Sequence, residues 1–147
     1  MNAPLKIFAA ALCGLLLGLP AAQAEDEWPV TDVYIQMGAQ GNPMIIEPRE
    51  VTLQVGEVYR FVISNPSNVT HNVAATKLRE AVVTTELFKW TPTLDYPALV
   101  LSAGISLHPG ESMEWTFVAL EEGAFKFGCD DPTHAAAGMQ TIVKVVS

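Results

Sequence analysis

The residues best suited to metal chemistry lie in one short segment near the C-terminus. This segment, residues 129–139, is called the ligand loop; it places a thiol (Cys129), an imidazole (His134) and a thioether (Met139) within eleven residues. Soft sulfur donors combined with imidazole favour copper or zinc over hard cations. Because a thioether is a poor ligand for zinc, Met139 favours copper. A trigonal copper site needs two His and one Cys, with a weak axial Met.

The second imidazole must come from elsewhere in a chain that has only three His. His71 follows a turn at the start of a predicted strand, whereas His108 precedes Pro-Gly in a turn, where a solvated His is ordinary. The predicted metal ligands are therefore His71, Cys129, His134 and Met139. Each residue also has an alternative interpretation. A Cys at the end of an apolar strand face is often part of the core, a His in a loop is usually solvated, and a Met near a Gly usually serves in packing. Their occurrence together favours the metal site.

The N-terminus has the pattern of an export signal. Residues 1–6 carry one positive charge, residues 7–19 are apolar, and Ala22-Gln23-Ala24 precedes an acidic run. This pattern predicts a cleaved signal peptide over residues 1–24 and a periplasmic protein. The alternative, a transmembrane anchor, is disfavoured because the apolar stretch is short, and no stable membrane insertion is expected. Cleavage removes Cys13, so Cys129 becomes the one cysteine of the mature chain. An oxidising compartment normally uses cysteines in pairs, so a lone one is a buried bystander, a free thiol or a metal ligand.

Composition predicts a single domain over residues 25–147. The chain is 50% hydrophobic and 16% charged, which supports a real core and excludes disorder. The formal net charge is −8 and becomes −9 when Lys6 is removed with the signal. No basic stripe accompanies this charge, so nucleic acid is not expected as a partner.

Short alternating runs of apolar residues predict a β fold. They occur at residues 33–37, 51–55, 59–63, 113–117 and 125–129, and a β-branched run over residues 141–146 ends the chain. Turn residues separate these runs, and this spacing predicts an all-β antiparallel sandwich. Residues 76–104 do not fit the pattern. They are interpreted as an insertion with a short helix beginning at residues 77–80 and with extended structure over residues 98–101.

The ordered set of motifs resembles the cupredoxins, the blue copper family that includes plastocyanin, azurin, auracyanin and rusticyanin. The resemblance rests on His71-Asn72, on the Cys-x4-His-x4-Met spacing and on the turn at residues 107–111, and it covers roughly residues 51–75 and 105–146. The spacing is closer to auracyanin and rusticyanin than to plastocyanin. The resemblance implies a Greek-key β-sandwich that holds one type 1 copper ion. Family members often have Ser or Thr after the Cys, bonded to the Asn; Asp130 stands there instead, so this hydrogen bond is not expected.

The resemblance also implies an electron carrier rather than an enzyme. We expect a monomer that makes weak, transient contacts with a redox protein such as a cytochrome, and its acidic charge favours a basic partner. The alternative is a periplasmic copper-tolerance protein that binds or buffers copper, although Met- and His-rich tracts are missing from the sequence. Multicopper enzymes need further His-bound centres, for which only His108 is left.

Overall fold

A computed structural model describes residues 28–90, 95–97 and 104–147. The predicted signal peptide and the extended segment predicted for residues 98–101 lie outside the described residues. Neither helix in the described part of the chain is long and apolar enough to cross a membrane. The strands are β1 (Val30–Ala39), β2 (Asn42–Glu47), β3 (Glu50–Gln54), β4 (Val58–Ser64), β5 (His71–Ala74), β6 (Val82–Trp90), β7 (Asp95–Pro97), β8 (Ile105–Leu107), β9 (Ser112–Ala119), β10 (Gly123–Cys129) and β11 (Gln140–Val146), and the helices are α1 (Thr76–Glu80) and α2 (Pro132–Ala136).

The strands form two sheets that enclose one core. The six-stranded sheet has the order β2-β1-β4-β9-β6-β7, and the five-stranded sheet has the order β3-β11-β10-β5-β8. The chain passes repeatedly from one sheet to the other, and the predicted Greek-key β-sandwich is confirmed. The sequence predicted an antiparallel sandwich, and this part of the prediction is wrong. Strand β1 pairs with β4 in parallel, and β3 pairs with β11 in parallel.

The segment after β5 contributes to the sandwich itself. The predicted short helix is confirmed as α1, which buries Leu78. The chain then enters β6, which pairs with β9 from Val82 opposite Ala119 to Trp90 opposite Ser112. The β-branched run at residues 82–85 suits a strand. Residues 76–104 therefore supply an inner strand of the six-stranded sheet.

Four aromatic rings form the centre of the core. Phe61 packs edge-on against Trp115, Phe117 and Phe127, with ring centroids 6.0, 4.9 and 5.5 Å away. All four side chains are fully buried. Such edge-to-face contacts add to the stabilisation from burial. Phe127 precedes Cys129 by two residues on β10, so this packing also anchors the strand that ends in the predicted copper ligand.

Replacing Phe61 with Ala tests this account of the core. We expect the free energy of unfolding to fall by about 3–5 kcal/mol, because the cavity would lie among three rings that cannot collapse into it. Urea denaturation of the metal-free protein measures this change. Leu120→Ala is the control, since Leu120 is 51% exposed and its truncation should change stability by less than about 0.5 kcal/mol. Equal effects of the two variants would contradict the assignment.

Candidate metal centre

The pairing of β5 with β10 brings two predicted ligands to one edge of the five-stranded sheet. The strands are antiparallel, with Val73 opposite Cys129, so the first residue of β5, His71, lies beside the last residue of β10. The backbone N–H of Asp130 continues the pairing by donating to the carbonyl of Asn72 over 3.1 Å. The positions of His71 and Cys129 are therefore set by backbone hydrogen bonds.

The third ligand, His134, lies on α2, within the ligand loop. The Asp131 carboxylate caps this helix by accepting from the backbone N–H groups of Thr133 at 2.9 Å and His134 at 3.1 Å, and Pro132 occupies the first turn. The hydrogen bond from the His134 N–H is the main cause that lowers the pKa of Asp131. The carboxylate therefore remains charged at neutral pH, and its contribution is lost only as the pH falls through the lowered pKa.

Three donor atoms converge at this edge. The Nδ1 atoms of His71 and His134 are 3.3 Å apart, and the Cys129 sulfur lies 3.3 Å from Nδ1 of His134. With one ligand atom taken from each of the three side chains, these atoms all lie within 4.8 Å of one another. His71 and Cys129 are buried and His134 is half-buried. One thiol and two imidazoles in this arrangement fit a single copper ion, and the structure thus brings three of the four predicted ligands together.

His71 is held in a form that can bind a metal. Its side chain is fully buried, and burial lowers the pKa of the imidazole, which the neighbouring His134 lowers further. A neutral imidazole has a lone pair on one ring nitrogen, and this lone pair is what a metal ion requires.

Met139, the predicted axial ligand, is buried beside the same strand end. Its carbonyl accepts from the N–H of Cys129 at 3.0 Å, and its own N–H donates to the carbonyl of His134 at 3.1 Å. A Cβ on Gly128 would overlap the Met139 carbonyl oxygen, so only Gly permits this close approach. The two ends of the ligand loop are therefore tied together, while axial ligation by the Met139 sulfur stays a prediction.

Asn72 links the two ligand-bearing strands. Its backbone N–H donates to the Cys129 sulfur over 3.3 Å, and its side-chain amide donates to the Asp130 carboxylate over 2.5 Å. The sequence analysis did not expect the second bond, because Asp130 replaces the usual hydroxyl residue. The correction is simple: a carboxylate oxygen accepts from an amide at least as well as a hydroxyl does.

Two further residues near the ligands were missed by the sequence analysis, in which the segment before His71 was only a turn. The hydroxyl oxygen of Ser67 lies 3.1 Å from Nε2 of His71, and the Arg49 guanidinium donates to the carbonyl of Gly138. A Ser four residues before a predicted ligand is a signal that could have been noticed. Arg49 is distant in sequence from the predicted ligands, so no sequence signal links it to the site. The exposed His108 lies outside the donor group, with its Nδ1 3.1 Å from the Thr70 hydroxyl, as predicted.

Comparison with known protein families assigns the chain to one of them. The family described as copper binding proteins, plastocyanin/azurin family, matches residues 33–146. The chain belongs to the plastocyanin/azurin family. This confirms the resemblance to the cupredoxins and the prediction of copper as the metal. A search of the curated proteins finds no match.

Solved structures share this fold at low sequence identity. Reduced auracyanin from Roseiflexus castenholzii is 21% identical with a TM-score of 0.53, and the match covers 80% of this chain and 98% of that one. Auracyanin A from Chloroflexus aurantiacus, a blue copper protein, is 19% identical with a TM-score of 0.52, over 80% and 100% of the two chains. A multicopper oxidase from Campylobacter jejuni is 14% identical with a TM-score of 0.57, over 84% of this chain but 31% of the oxidase. The chain thus spans about a third of that enzyme's length.

Asp131→Ala should weaken copper binding by roughly tenfold, a typical effect of losing a group that orients a ligand. The physical reason is that the first turn of α2 loses its cap and His134 is less firmly placed. Asp131→Asn retains a side-chain oxygen that can accept the same bonds and should keep most of the affinity. Competition with a chelator measures both variants. If Asn is as harmful as Ala, the charge of Asp131 matters and the cap does not.

Proposed function

We propose that this protein is an exported blue copper protein that carries single electrons between redox partners. The observation that carries the proposal is the convergence of the Cys129 sulfur and the Nδ1 atom of His71 on Nδ1 of His134, each at 3.3 Å, in a chain of the plastocyanin/azurin family. Copper bound there would supply one-electron chemistry by cycling between Cu(I) and Cu(II). The signal peptide predicted for residues 1–24 would direct the chain to the periplasm.

The role of the protein is to hold one ligand geometry for both oxidation states. His71, Cys129 and His134 would form the trigonal plane, and Met139 would be the weak axial ligand. The strand ends and the capped helix α2 restrict the movement of these side chains, which favours rapid electron exchange. The Asn72 N–H withdraws electron density from the Cys129 sulfur and so favours the reduced state.

Electrons would pass through His134. This ligand is half-buried, whereas His71, Cys129 and Met139 are buried. The residues after it, Ala135 to Ala137, are small and leave its surroundings flat and partly exposed. A small, weakly held interface suits a transient redox encounter. The net charge, −8 for the full chain and −9 without Lys6, favours a basic partner such as a cytochrome, met by a monomer.

The Cys129 thiolate is the feature that an electron-transfer experiment should target. The copper-loaded protein should show an intense visible absorption, lose it with one electron of reductant and regain it with a basic oxidised cytochrome. Cys129→Ser should abolish the absorption, because oxygen gives no such low-energy transition, and should slow electron exchange by at least about tenfold through loss of the thiolate. His108→Ala is the control and should change neither. Stopped-flow spectroscopy measures both properties.

Two results would oppose this proposal in different ways. A coloured Cys129→Ser variant would show that the ligands are assigned wrongly. A wild-type protein that is coloured but exchanges electrons slowly with every basic cytochrome, while its deletion makes cells sensitive to copper, would favour the copper-tolerance alternative.

Axial ligation by Met139 has its own test. Met139→Leu removes a weak donor and makes the site drier, so the less charged reduced state gains and the reduction potential should rise. Met139→Gln supplies a harder oxygen donor that favours Cu(II), so the potential should fall. Protein-film voltammetry measures both. Potentials equal to that of the wild type in both variants would mean that Met139 only packs against β11.

A further inference from the structure

A chain of buried hydrogen bonds reaches His71 from the side away from the other ligands. It begins at Asn65, which is 1% exposed. The side-chain amide of Asn65 donates to the carbonyls of Val69 and Leu107, both over 2.8 Å. Because carbonyls only accept, the orientation of the amide is determined, and its oxygen is the atom that faces Ser67.

The contacts of the Ser67 hydroxyl indicate which tautomer of His71 fits beside it. A hydroxyl has one proton and two lone pairs. The oxygen lies 2.7 Å from the Asn65 amide oxygen and 3.1 Å from the Val69 carbonyl, and both of these only accept. An unprotonated Nε2 of His71 would add a third acceptor for the single hydroxyl proton, whereas a protonated Nε2 donates instead. The lone pairs then accept from the Val69 N–H at 3.2 Å and from Nε2 of His71 at 3.1 Å. These contacts favour a proton on Nε2 of His71.

The backbone of β1 encloses this pair of side chains. Gly38 has a φ of +80° and lies where the register of β1 with β2 shifts, between Met37 and Ala39. A Cβ on Gly38 would lie 2.6 Å from the Ser67 Cβ and 2.8 Å from Nε2 of His71. No side chain fits there, and both Ser67 and His71 are buried. The hydrogen bond between them is thus shielded from solvent.

We propose that Ser67 is the positioning residue that holds His71 in its Nε2-protonated tautomer, with the Nδ1 lone pair presented to copper. This role rests on the copper centre of the proposed function, and it explains how the ring of His71 is oriented and protonated before copper binds. The other tautomer would place a proton on Nδ1, in the space that the ion must occupy. A partner on the outer ring nitrogen also fixes the plane of the ring and makes Nδ1 a stronger donor.

The first test uses the unaltered chain without metal. Long-range 1H–15N correlation of the 15N-labelled protein reports which ring nitrogen of each His carries the proton. At a pH where the ring is neutral, we expect His71 to be a single species protonated on Nε2. Protonation on Nδ1, or a mixture of both tautomers, overturns the proposal, and this result does not depend on whether any variant folds.

The second test removes the hydroxyl. Ser67→Ala should convert His71 to a mixture of tautomers and lower copper affinity by about 10- to 100-fold, the usual range for such partners of a ligand. Ser106→Ala is the matched control, because Ser106 is an exposed Ser on β8, the strand next to β5, and it should change neither property. Ring-nitrogen shifts and competition with a chelator give the two readouts.

The outcomes separate positioning from mere packing. An unchanged tautomer in Ser67→Ala overturns the proposal whether or not affinity falls, because a loss of affinity alone would show that the hydroxyl only fills space. A shifted tautomer with unchanged affinity also overturns it. If the wild-type protein shows the expected tautomer and Ser67→Ala the expected losses but electron exchange with cytochromes is absent, the electron-transfer function is wrong and the role of Ser67 stands.

Discussion

The metal centre depends above all on the antiparallel pairing of β5 with β10. Antiparallel neighbours bring the start of one strand beside the end of the other, and here the start carries His71 and the end carries Cys129. Because β11 pairs with the opposite side of β10, the last residue of the ligand loop returns to the same edge. The ligand geometry is therefore a property of the whole five-stranded sheet, which the aromatic core supports through Phe127.

Around this pairing, each of the three converging ligands is held by hydrogen bonds from residues that are not ligands. The Cys129 sulfur accepts from Asn72, the backbone of His134 is fixed by the Asp131 cap, and the outer nitrogen of His71 meets Ser67. These contacts come from separate segments of the chain, so no single loop determines the site. A centre supported in this way has little freedom to change shape when its charge changes, and this property is needed for fast electron exchange.

The sequence predicted the parts of the molecule that leave a local signal. Alternating residues indicated the strands, and a Cys, a His and a Met within the ligand loop indicated copper. The parallel pairings of β1 with β4 and of β3 with β11 left no such signal, because a strand's partner depends on the path of the whole chain. The helix α2 is a different case: Asp131-Pro132 is a normal start of a helix, but five residues are too few for a periodic pattern. The partnership of Ser67 with His71 needed the position of β1, which no local pattern contains.

The placement of the ligands along the chain also has a consequence for folding. Cys129, His134 and Met139 are close in sequence, but 63 positions separate His71 from His134. Closing so long a loop is a slow, entropically unfavourable event compared with forming a turn. Until β5 pairs with β10, the ligand loop supplies only one imidazole and one thiol to a metal ion, and the trigonal site cannot form. The colour of the complete centre during refolding in the presence of copper would therefore mark the moment at which the two distant strands meet.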